Sequence, residues 1–147
     1  MSEKRIRTAV LAADVFEAAS AIIGALGLIV GFISIPVSVL ATTPFTDFTV
    51  PALLLGFVVG GSALVAAIIT ALRLRLFDAL ASALAGCITI GWLTIEIAMI
   101  GLGSWAQVAW WLVGAAMIVL AVLLWFAEAH AAPARWTTQA GYENGAG

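Results

Sequence analysis

Four long apolar runs, separated by short polar or Pro/Gly-containing breaks, dominate the chain. They lie near 15–40, 51–72, 79–101 and 105–126, and each reaches the roughly 20 residues a helix needs to cross about 30 Å of hydrocarbon. The breaks at 42–47 (with Pro44 and Asp47), 73–78 (with Arg73, Arg75 and Asp78) and 101–104 (with Gly101, Gly103 and Ser104) are turn-forming or charged. Connections as short as the last two make spans 2, 3 and 4 antiparallel neighbours. The pattern predicts an all-α, polytopic transmembrane four-helix bundle. It comprises a basic segment 1–14, one membrane domain over 15–132, and a tail 133–147 without apolar periodicity, expected to be disordered or to lie on the membrane.

Composition agrees. The chain has 147 residues, of which 64% are hydrophobic and 10% charged, too few charges to clothe a water-facing surface. A net charge of −2 gives no reason to expect nucleic acid as a partner. The single cysteine, Cys87, and single histidine, His130, cannot supply a redox pair, a thiolate zinc site or bis-His haem ligation. No cofactor, metal or catalytic residue is therefore expected, and the short connections leave no room for an extramembrane active site.

Orientation follows from the basic residues. Lys4, Arg5 and Arg7 precede span 1, Arg73 and Arg75 separate spans 2 and 3, and Arg135 follows span 4. With four crossings all six fall on one face, which predicts both termini on the cytoplasmic side of a bacterial inner membrane and argues against an inverted dimer. A helix from Thr8 to Leu40 would be about 50 Å long. Asp14 and Glu17 are therefore expected to hold its first turns at the cytoplasmic interface, and Pro36 to kink or end it. The alternative is a cleaved signal peptide ending near Val39-Leu40-Ala41, which the acids at 14 and 17 disfavour.

Small residues supply the packing faces. Gly24, Gly27 and Gly31 in span 1, Gly56 and Gly60 in span 2, and Gly114 in span 4 would let backbones approach closely, within the chain rather than in a dedicated dimer. Phe45, Phe48 and Trp105 should mark one rim, and Trp125 and Phe126 the other.

Glu96 lies about 7–8 Å along the axis from the end of span 3, and an intramembrane acid is a functional hypothesis by default. Trp92, Gln107 and Asp47 are its expected neighbours in a polar cluster that either fixes register or serves a proton or cation. Asp14 and Glu17 are three residues apart, hence on one helix face, and are expected to pair with Arg73, Arg75, Arg5 or Arg7 as a structural interface. Glu17→Gln should lower stability or yield without reversing topology. In the 44–51 segment, Asp47 or Thr49 can cap span 2 and Pro51 suits its first turn; a shallow lid over Glu96 is the alternative.

The stretch Pro44-Phe45-Thr46-Asp47-Phe48-Thr49-Val50-Pro51-Ala52-Leu53-Leu54-Leu55-Gly56, with Val59-Gly60-Gly61, Gly91-Trp92, Glu96 and Ser104-Trp105-Ala106-Gln107, resembles a family of small bacterial four-span integral membrane proteins. The likeness covers roughly 40–115, with Ala52 where that family's pattern has Gly. It implies the four-span topology and no activity.

Two functions follow as expectations. The first is a non-enzymatic accessory, scaffold or assembly partner in the bilayer, engaging another membrane protein or a second copy. The alternative is a small proton- or cation-coupled transporter with Glu96 as its carboxyl.

Overall fold

A computed structural model describes residues 2–75 and 77–131. Four long helices, α1 (Glu3–Val30), α2 (Thr49–Ala71), α3 (Asp78–Ile100) and α4 (Trp105–Ala131), form the bundle. Each is long and apolar enough to cross a membrane. Among the described residues there is no strand. A 3₁₀ turn at Val37–Thr42 bridges α1 and α2, and the Thr42 hydroxyl ties it to α3 by donating to the Met99 carbonyl at 2.8 Å. The helices pack in a ring, α1 on α2, α2 on α3, α3 on α4 and α4 on α1.

The distribution of side chains is inside out relative to a water-soluble bundle. The core holds small residues, among them Ala18, Ala63, Ala66 and Ala85 around Met117. Large ones such as Phe32, Phe57 and Trp105 are 77% exposed or more. In lipid, apolar side chains gain nothing by leaving the surface, so helix association depends on close backbone approach through small residues.

The tightest approach joins α3 and α4 at Gly86 and Gly114. A Cβ on Gly86 would meet the Gly114 carbonyl oxygen at 2.7 Å, and one on Gly114 would meet the Gly86 carbonyl at 3.1 Å. Gly60 and Gly56 give α2 its seat on α1 at Ile22 and Ala25, whereas Gly24 meets only Leu55 at an ordinary 3.5 Å. Backbone atoms cannot swing aside as a side chain can, so Gly86→Ala should lower stability by about 1–3 kcal/mol. Thermal unfolding in detergent will measure this; an unchanged midpoint would mean that the two helices separate freely.

The second, third and fourth helices begin within about two residues of the expected spans. The first does not. It runs over Glu3–Val30 in place of 15–40, so Asp14 lies three turns inside the helix. Nor does Pro36 end it. Gly31, at φ 77°, adopts the left-handed conformation that closes a helix, and the Ile33 N–H caps the Gly27 carbonyl at 3.0 Å. Gly31 thus terminates α1, with nothing within 4 Å of its would-be Cβ, and Gly27 packs against Ile33 of the same turn. The tail at 133–147 lies outside the described residues.

Within α2, Leu54–Gly60 winds as a π-helix. Such wide turns are uncommon and tend to border functional sites.

Candidate functional site

The ring arrangement leaves α1 and α3 facing each other across the bundle axis, and both present polar side chains to it. At the basic end, Arg7 of α1 is bound by Asp78 of α3 and Glu128 of α4, with Glu3 one turn away on α1 at 3.4 Å. Asp78 is fully buried, and Arg75 bonds Glu3 at 3.1 Å from outside. One guanidinium thus serves three carboxylates from three helix segments, the fork geometry to which arginine is suited.

Two turns further in lies Asp14, 0% exposed. The Ser82 hydroxyl of α3 donates to its Oδ1 at 2.7 Å. Thr70 of α2 lies beside the same carboxyl, and its hydroxyl and Asp14 Oδ2 have no other partner than each other. Glu17, 1% exposed, is the next step along this face. Its Oε1 is 3.1 Å from the Thr89 hydroxyl, which is also 3.1 Å from the Ala85 carbonyl, and its Oε2 has no partner. The expected pairing of Asp14 and Glu17 with Arg73, Arg75, Arg5 or Arg7 is absent among the described residues. Because α1 starts at Glu3, the acids sit deep between helices while the arginines stay at the bundle end.

Beyond Glu17 the polar line passes to α4. The Trp110 indole N–H donates to the Ser20 hydroxyl at 3.2 Å, and Ser20 donates to the Glu17 carbonyl at 3.0 Å. Phe16 stacks on Trp110 with ring centroids 6.1 Å apart. One turn along, the Gln107 amide donates to Glu96 Oε1 at 3.0 Å, while its own oxygen accepts from the Gly103 and Ser104 N–H groups. Polar groups therefore follow one another along the bundle interior, from Arg7 at one end to Glu96 near the other.

Glu96 and Trp92 both line an apolar cavity of about 380 Å³, whose other walls include Phe45, Phe48, Leu55 and Val58. Asp47 does not join them. It is exposed and accepts from the Thr49 N–H at 2.8 Å, so it closes a turn before α2. That bond, with a second from the Thr49 hydroxyl, holds the Asp47 carboxyl below the usual carboxylate range.

The structure thus joins Glu96, Gln107 and Trp92, and separates Asp47 from them. Sequence reasoning missed Thr70 as a neighbour of Asp14, and Asp78 and Glu128 as partners of Arg7. A Thr in an apolar helix carries no distinguishing mark. Asp78, however, stands at the start of span 3 as Arg7 stands before span 1, and the two meet wherever these helix ends converge. Comparison with protein-family models, with curated proteins and with solved structures found no match.

Proposed function

We propose that the chain is a multi-pass protein of the bacterial cytoplasmic membrane, with both termini on the cytoplasmic side, and that it passes protons through its bundle by way of Asp14 and Glu17. The observation carrying this reading is the pair of fully buried carboxyls one turn apart, neither in an ion pair among the described residues, with Glu17 Oε2 lacking any partner. Buried polar groups are ordinarily satisfied, and intramembrane acids that are not tend to mark ion or proton routes.

Hydrogen counting supports the same reading. The Thr89 hydroxyl has one hydrogen and two acceptors in reach, Glu17 Oε1 and the Ala85 carbonyl. A proton on Glu17 would let Glu17 donate to Thr89 and Thr89 to Ala85, completing the chain. The carrying carboxyls in this proposal are those at 14 and 17, in place of Glu96.

The rival reading is a scaffold or assembly partner, favoured by the interhelical bonds to Ser82, Thr89 and Gln107, which fix helix register. Liposomes loaded with a pH-sensitive dye separate the two. Proton transport predicts that an imposed potential acidifies or alkalinises the lumen, and that Glu17→Gln, which keeps the shape of the side chain, returns the flux to background while the protein stays folded. A wild-type chain with no flux above empty liposomes leaves the scaffold.

A further inference from the structure

The cavity at the Glu96 end has features that a lipid-filled crevice does not need. Its volume, about 380 Å³, falls within the roughly 300–1,000 Å³ of small-molecule sites. Its walls are apolar apart from Thr43 and Glu96. The Thr43 hydroxyl is already engaged, donating to the Leu40 carbonyl at 2.9 Å and accepting from the Phe45 N–H at 3.2 Å. Glu96 is different. Gln107 donates to Oε1, and among the described residues no group donates to its second oxygen. No Lys, Arg or His lines the cavity.

A carboxylate on an apolar wall is costly beside an acyl chain, which has nothing to offer it. It is complementary to a positive charge carried on an apolar body. Trp92, whose ring is the aromatic that cations favour most, lines the same wall. Leu54, Val58 and Ile95 line the cavity and are also exposed on the bundle surface, so the chamber opens sideways, where an amphipathic molecule dissolved in lipid arrives. The wide turn of α2 and the segment carrying Phe45 and Phe48 shape this opening.

We propose that the chamber binds an amphipathic organic ammonium ion, its N–H group donating to Glu96 and its apolar body lying among Phe45, Phe48, Leu55 and Val58. This site is separate from Asp14 and Glu17, and equilibrium binding here requires no proton movement, so it stands or falls independently of the transport reading.

Calorimetric titration of the full chain in phosphatidylcholine nanodiscs, with empty discs subtracted, tests it with three probes of equal apolar length: phenylbutylammonium, phenylbutanol and phenylpentanoate. The ammonium should bind saturably, about tenfold or more tighter than the alcohol, and the carboxylate should not bind, as expected for one charge-assisted hydrogen bond. Glu96→Gln should reduce the ammonium to the affinity of the alcohol, and Val58→Trp, which fills the chamber, should abolish both. Equal affinity for ammonium and alcohol, ammonium binding unchanged in Glu96→Gln, or no saturable binding would each overturn the proposal. Should Glu96→Gln fail to fold, the three-probe series on the unaltered chain decides alone.

Discussion

Arg7→Ala should destabilise the bundle by about 3–5 kcal/mol, the cost found when one partner of a buried ion pair is removed. The reason is the count of charges around it. Among the described residues Arg7 is the one cation within salt-bridge distance of Asp78 and Glu128, and it also reaches Glu3. Asp78 is 0% exposed, so it cannot turn to water when the guanidinium is lost, and it would face Glu128 without compensation. The reverse deletion is milder. Asp78→Ala leaves Arg7 still bound to Glu128 and near Glu3, so its loss should be clearly smaller. Removing the buried charges together, with Arg7→Met, Asp78→Leu and Glu128→Leu, should recover much of the stability, because apolar groups of similar volume incur no desolvation. Chemical unfolding in mixed micelles measures all three. If Asp78→Ala proves worse than Arg7→Ala, the cluster is not centred on the arginine.

Asp14→Asn should abolish proton flux and yet leave the protein as stable as before, or more so by about 1 kcal/mol. An amide keeps an oxygen to accept from Ser82 and turns an N–H₂ group toward the Thr70 hydroxyl. The contact between Asp14 Oδ2 and the Thr70 hydroxyl would persist with its direction reversed, and no charge would be left to desolvate. A carboxyl can take up and release a proton at this position, and the amide can do neither. Gain or retention of stability together with loss of transport is the mark of a residue kept for function at some cost to the fold. A marked fall in the unfolding midpoint would instead make Asp14 a structural residue, and flux surviving the substitution would remove it from the proton route.

The four helices were legible because their signal is local. Twenty apolar residues between charged or Gly-containing breaks report the solvent without reference to the rest of the chain. The Glu96–Gln107 bond was legible for the same reason, spanning a four-residue turn at matched depth. Asp14 and Glu17 were not. A hydropathy reading treats two acids as a sign that the segment has left the membrane, whereas Ser82 and Thr89, 68 and 72 residues away, receive them inside. The helix expected over Thr8–Leu40 instead runs over Glu3–Val30, which brings Arg7 into it as well. Likewise Gly31 ends the helix before Pro36 can, since a left-handed glycine closes it one turn earlier.

The charges along α1 also bear on how the bundle is made. In their most apolar stretches α1 has a mean hydropathy of 1.8 and α2 of 2.5. A single Asp or Arg near the middle of a lone inserting helix costs about 2.5–3.5 kcal/mol. The groups of other helices that bind Arg7, Asp14 and Glu17 reside chiefly on α3 and α4, and a ribosome has not yet synthesised these when α1 emerges. Although it is made before the other three helices, α1 is thus the last of the four to settle into its place.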